Sequence, residues 1–254
     1  MFILKIARRI LLKIARVFRL IPLEKEAYPP HNLWPHDAVF LSYDEKAQQQ
    51  RFDRLYVLLS FDCDTPDDIP AARKGFDWMR ERGLKATFAV PGAMLKQGAE
   101  VYRRLYEDGA DFINHGAAPH AEWRDGRYWP ATFYDKLLPD QVVADIEDGD
   151  SIFRDILGGI PVGFRAPHFG SFQSLEQIGL MHAALERLGY QYSSSTLPEA
   201  ALNHGPVMDL GTGILEIPCF GSYDLPTVIL DSWNYIESPY NPVVQPRYAE
   251  LFIR

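Results

Sequence analysis

Between residue 53 and about residue 218, runs of strand-forming residues alternate with amphipathic helical stretches, which restricts the chain to a parallel α/β sheet or barrel. Residues 56–62 read as the first strand. A helix over 69–82 follows, entered through Pro66-Asp67-Asp68 and stopped at Gly83. Residues 85–90 and 110–114 read as the next two strands, with a helix over 98–108 between them. A strongly periodic helix covers 140–157 and ends at Gly158-Gly159. Residues 174–188 form a further helix, and 190–194 and 214–218 further strands.

Polar residues recur at the carboxyl ends of these strands. The first strand ends on Asp62-Cys63-Asp64. Side chains on a strand alternate with period two, so both carboxylates leave on one side and Cys63 on the other. Two close carboxylates repel unless a cation or a proton is shared. A metal ligand beside a general base is the simplest reading, although Asp-x-Asp also marks glycosyltransferases, phosphatases and ordinary turns. The third strand runs into Asn114-His115-Gly116-Ala117-Ala118-Pro119-His120. On a helix, positions five apart stand about 140° from each other, so one ion could not be reached by both rings. Gly116 and Pro119 argue for a loop, which can fold two neutral imidazoles onto one divalent ion. A short strand then delivers Arg165, with Pro167 fixing the following turn. Arg165 can pair with Asp62, or it can be an ordinary strand-end ion pair. Trp123, Tyr128, Trp129, Phe133 and Tyr134 crowd residues 120–134, as a substrate wall or as loop packing. Cys63 and Cys219 are too few for a disulfide framework and read as inert core residues.

Together these motifs resemble the polysaccharide deacetylase family, the NodB-homology domain of carbohydrate esterase family 4, over roughly residues 53–235. Ser60-Phe61-Asp62-Cys63-Asp64 resembles the first motif in an Asp-x-Asp version, and His115 with His120 the histidine motif. Arg165-Ala166-Pro167-His168-Phe169-Gly170 resembles the Arg-x-Pro motif and is the most specific of the three. The resemblance implies a distorted (β/α) barrel with its site at the carboxyl ends of the strands. It implies Asp62 as catalytic base, Asp64, His115 and His120 as metal ligands, Zn2+ as the metal, and Arg165 orienting Asp62. The backbone N–H near His168 would help the metal stabilise the oxyanion. The implied reaction removes an N-acyl group, acetyl or formyl, from an amino sugar, polysaccharide or lipid-linked glycan. Three departures stand out. The histidines are five apart where the family places them four apart, with Glu122 the nearest substitute ligand. Tyr192-Ser193-Ser194-Ser195 resembles the family's Tyr-Asp-Ser-Ser strand, with Ser193 where an acid is usual. The family's late histidine, its general acid, has no evident counterpart. The terminal residues 248–254 read as mid-helix, so either the chain is incomplete there or His168 or His204 takes the role. A catalytically impaired glycan-binding barrel is the alternative; a glycosyltransferase would leave the histidines and Arg165 unexplained.

The formal charge of −8 conceals an asymmetry. Lys5, Arg8, Arg9, Lys13, Arg16 and Arg19 fall within residues 1–23, where no acid occurs, and without them the remainder carries −14. Such an acidic body disfavours nucleic acid. At 100° per residue the six cations occupy an arc of about 140° opposite most of the apolar side chains. Charges interrupt this segment too often for a transmembrane span or a secretory signal. It reads as an amphipathic helix on the membrane surface, which places the protein in the cytoplasm, peripheral on the inner face of the membrane, with a helix packed on the acidic body as the alternative. Residues 24–52 read as a linker, and 53–254 as the barrel.

Overall fold

Pro35, met in the sequence as part of the linker, starts a helix. A computed structural model of the chain describes residues 35–170 and 172–232, and its first element is α1 (Pro35–Gln49). Proline suits a first helical turn, where its missing N–H would have had no partner. Half of the stretch expected to be linker is therefore regular structure. The amphipathic helix expected over 1–23 and the terminal residues 248–254 lie outside the described residues.

The described residues fall into two units. The larger comprises 52–196 and 207–217. Its elements in chain order are β1 (Ser60–Asp62), α2 (Asp68–Arg80), β2 (Thr87–Val90), α3 (Gly92–Gln97), α4 (Ala99–Glu107), β3 (Asp111–Asn114), β4 (Ala121–Arg124), β5 (Arg127–Pro130), α5 (Pro139–Leu157), β6 (Gly163–Phe164), α6 (Leu175–Leu188) and β7 (Tyr192–Ser193). After α7 (Pro198–His204), which belongs to the other unit, come β8 (Met208–Asp209) and β9 (Leu215–Glu216). The smaller unit holds 35–51, 197–206 and 218–232. There Gln50 Nε2 donates to the His204 carbonyl at 2.8 Å, and Phe40 and Tyr43 pack on Phe220. Cys219, expected in a core, is half-buried in this unit.

The sheet runs β1-β2-β3-β6-β7-β9-β8, parallel throughout except for the β8–β9 pair. Up to β7, each strand of this sheet is laid beside its predecessor, as expected when helices carry the chain back to the same edge, and β9 then inserts between β7 and the edge strand β8. This is the parallel α/β arrangement that the resemblance implied. The expected barrel does not close among the described residues, where no strand links β8 to β1. β1 is also shorter than its strand-forming run, and Leu55, Tyr56, Val57 and Leu58 stand exposed ahead of it.

Two apolar clusters fill the unit. Phe76, Phe88, Leu95, Tyr102, Leu105, Phe112 and Phe153 form one, and Ile146, Phe164, Ile178, Met181 and Leu185 the other. α5 contributes to both, because Val142, Ile146, Gly149 and Phe153 make one inward stripe at helical spacing. Gly149 is the closest approach. A Cβ there would lie 2.5 Å from Asn114 Oδ1 and 2.7 Å from the Gly116 carbonyl carbon. A mid-helix glycine costs about 1 kcal/mol relative to alanine, and here it lets α5 press against the loop that follows β3.

Candidate active site

Each site residue comes directly off, or just past, a strand's carboxyl end. Asp62 is the last residue of β1, His115 follows β3, Arg165 follows β6 and Ser194 follows β7. Adjacent strands thus bring residues far apart in sequence to one rim of the sheet.

The loop between His115 and His120 absorbs its extra residue. Gly116 takes φ +78, and the two imidazoles meet edge to face with centroids 4.3 Å apart. Asp145 on α5 holds the bend. Its Oδ1 accepts from the backbone N–H of Ala117 at 3.1 Å and of Ala118 at 2.8 Å, and its Oδ2 from Tyr134 OH at 2.7 Å. A Cβ on Gly116 would fall 2.2 Å from Asp145 Oδ2, so the bend needs glycine for space as well as for its left-handed φ. Glu122, the substitute considered for a ligand, is exposed on β4 instead.

Asp64, His115 and His120 each offer one ligand atom, and the three lie within 4.8 Å of one another. His115 Nδ1–H donates to the Arg165 carbonyl at 2.7 Å, which leaves Nε2 as an acceptor, 3.6 Å from Asp64 Oδ1. Burial, reinforced by the neighbouring His120 ring, brings the His115 pKa down to about 4, so this imidazole is neutral at pH 7. Burial pushes the Asp64 carboxyl up, but the hydrogen bond from His120 and the nearby His115, His120 and His168 rings outweigh it and hold it at about 2. His120 Nδ1 lies 3.2 Å from Asp64 Oδ1, while its Nε2 is buried without a hydrogen-bond partner. A buried polar atom left without a partner is costly. A neutral imidazole, a second ring with an orphaned nitrogen, and one ionised carboxylate fit a divalent cation.

Asp62 faces the other way. Arg165 Nη1 donates to Asp62 Oδ1 at 2.7 Å and to Ser60 Oγ at 2.8 Å. The guanidinium is fixed from behind by Ser194, its Nε donating to the Ser194 carbonyl and its Nη2 to Ser194 Oγ, both at 3.1 Å. Asp62 Oδ2 is left 3.9 Å from His115 Nε2, toward the triad. Cys63 points into the core, where burial and the nearby Asp68 and Asp62 carboxylates push its thiol up, so it is no nucleophile.

His168 sits in a strained left-handed conformation, φ +48. Its Nε2–H donates to the carbonyls of His120 at 3.0 Å and Ala131 at 2.7 Å. It therefore clamps the base of the β4–β5 hairpin beside His120. His204 belongs to the smaller unit.

A model of the polysaccharide deacetylase family matches residues 49–193. The chain belongs to the polysaccharide deacetylase family. No match is found among the curated proteins. Of the solved structures, a polysaccharide-deacetylase-type protein from Mycobacterium smegmatis aligns at 20% identity over 72% of this chain and 63% of its own, with a TM-score of 0.50. This chain thus spans less than two thirds of that structure's length. A family 4 carbohydrate esterase from Streptomyces lividans aligns at 21% identity over 55% and 61%, with a TM-score of 0.41. A family 4 acetyl xylan esterase from Clostridium thermocellum aligns at 29% over 43% and 47%, with a TM-score of 0.34. The first of these supports the polysaccharide deacetylase fold and nothing finer.

Two residues around this candidate site, Asp145 and Glu216, escaped the sequence reading, and so did the role of a third, Ser194. Asp145 occupies a position of the inward stripe of α5, and an acid in an apolar stripe was the available signal. Ser194 is read only within the 192–195 strand motif, with no role given to it. Glu216 lies between apolar residues of β9 and pairs in register with Ser193. It is buried, and its Oε1 accepts from the N–H of Ser195 and Thr196, at 2.6 and 2.9 Å.

Proposed function

We propose that the protein removes an N-acyl group, acetyl or formyl, from an amino sugar of a glycan, with a divalent metal held by Asp64, His115 and His120. One observation carries this reading: Asp62 is turned by Arg165 so that its free oxygen lies beside the triad. When bound, the metal, with Zn2+ the first candidate, would polarise the acyl carbonyl and acidify a water. Asp62 Oδ2 takes the proton as water adds to the acyl carbon. Arg165, bonded to Oδ1, keeps the other oxygen aimed. The tetrahedral intermediate then breaks its C–N bond, and the departing amine needs a proton. His168 has its Nε2–H committed to two carbonyls, so the acid role passes to Asp62, which returns the proton it took. The products are a free amine and a short carboxylate.

Residues 1–23 extend the proposal to a lipid-linked or membrane-proximal glycan on the inner, cytoplasmic face, on the strength of their basic face. Purified protein with Zn2+ should release acetate or formate from N-acylated amino-sugar substrates, and Asp62→Asn should abolish the release. Absence of bound metal in the wild type, with Asp64→Ala changing nothing, would sink the reading. A second reading, glycan binding without turnover, is favoured by the same commitment of His168 and predicts normal metal binding with no acyl release.

A further inference from the structure

The β4–β5 hairpin leaves the site from His120 itself. Asp125 (φ +53) and Gly126 (φ +80) make the two-residue turn that asparagine or aspartate before glycine favours. The register pairs Arg124 with Arg127, Trp123 with Tyr128, Glu122 with Trp129 and Ala121 with Pro130. Ala131 N–H donates to the His120 carbonyl at 2.7 Å, which continues the ladder by one pair to His120. Residues two apart on a strand share a face. The face that bears His120 therefore also bears Glu122, Trp129, Arg124 and Arg127, while Trp123 and Tyr128 pack edge to face on the opposite side.

Both arginines at the tip lie on Trp129. The Arg127 guanidinium carbon is 3.6 Å from the ring centroid and that of Arg124 is 5.2 Å away. Trp129 Nε1 in turn donates to the Arg124 carbonyl at 3.0 Å, which fixes the ring beneath them. Neither arginine is ion-paired to a carboxylate among the described residues, although Glu122 and Asp125 are near in sequence, in a chain whose formal charge is −8. A guanidinium stacked flat on an indole keeps its N–H edge free and pre-oriented for a planar or tetrahedral anion.

We propose that the hairpin tip, Arg124 and Arg127 on Trp129, is a subsite for a negatively charged group of the glycan, carboxylate or phosphate. This rests on the proposed deacylation at Asp62 and the triad. Four residues of strand separate Arg124 from His120, about 13 Å. The charge is therefore read beyond the sugar that loses its acyl group, and the substrate is an oligosaccharide or longer. Glu122, between the two, excludes an anion nearer the triad and restricts recognition to the tip.

The test uses the full chain carrying Asp62→Asn, titrated calorimetrically with N-acetylated oligosaccharides of equal length. One series is neutral, one carries a uronate carboxylate and one a phosphate. The charged ligands should bind about tenfold tighter than the neutral one at low salt, as for hydrogen bonds to charged groups. The advantage should disappear in Arg124→Gln/Arg127→Gln, with the neutral ligand's affinity unchanged, and whichever anion gains more identifies the source. A single N-acetylated sugar should be indifferent to both substitutions. Far-UV circular dichroism and the Arg127→Lys variant, which keeps the charge, separate loss of the subsite from loss of the hairpin. Equal binding of charged and neutral ligands, no binding of the charged ones, or an advantage that survives the double substitution would overturn the subsite. A charge preference in a protein whose wild type hydrolyses none of these compounds would instead overturn the deacylation and leave the subsite standing.

Discussion

The two aspartates of Asp62-Cys63-Asp64 work in different surroundings although one residue separates them. Asp64 is held by histidines and Asp62 by Arg165. Arg165→Ala should therefore lower kcat by about a hundredfold, the usual result of misplacing a reacting group by an ångström, with metal affinity retained; paired kinetics and metal titration check this. A loss of metal binding would mean that Arg165 holds the triad rather than the base. His115 governs the acid limb of stability. Its folded pKa, about 4, lies below the ordinary 6.5, so on acidification the unfolded chain gains the proton first. The stability its neutral form supplies is whole above pH 6.5, declines as pH falls toward 4 and levels off below that. The swing is on the order of 3 kcal/mol in metal-free protein. Thermal melts between pH 7 and 4 should show the decline, and His115→Gln should flatten it.

The loop and helix elements that hold these residues were unequally legible. Asp62, Asp64, His115, His120 and Arg165 could be read because strand ends display polar residues that the alternating pattern cannot otherwise use. How a five-residue spacing still brings both rings together could not, since the bend depends on Asp145, a helix residue bound to two backbone N–H groups. Asp145→Asn should weaken metal binding about 10–100-fold, as loss of a residue behind the ligands does, with the fold retained by circular dichroism. Unchanged affinity would show that the bend holds itself. The hairpin was hidden because its aromatics read equally well as packing, and α1 because its prolines read as linker. Glu216 was hidden as a carboxylate inside an apolar strand. It supports Ser195 and Thr196, and its Oε2 lies 3.1 Å from His182 Nε2, with both side chains fully buried. Glu216→Ala would strand these donors in the core and should cost about 3–5 kcal/mol, measurable by denaturant unfolding; a cost below about 1 kcal/mol would refute that role.

At the scale of the whole larger unit, the sheet order ties the order of chain synthesis to the order in which the site is built. From β1 to β7, each strand of the main sheet takes its place beside one already made. Asp64, His115 and His120 all precede residue 121, so the candidate ligands are all made in the first half of the alternation. Arg165 and Ser194, which turn Asp62, arrive only with the strands after α5. The bend that brings His120 onto His115 likewise waits for Asp145 on α5. On the proposed reading, the ion site and its base would therefore mature together, once α5 and the strands after it have joined the sheet.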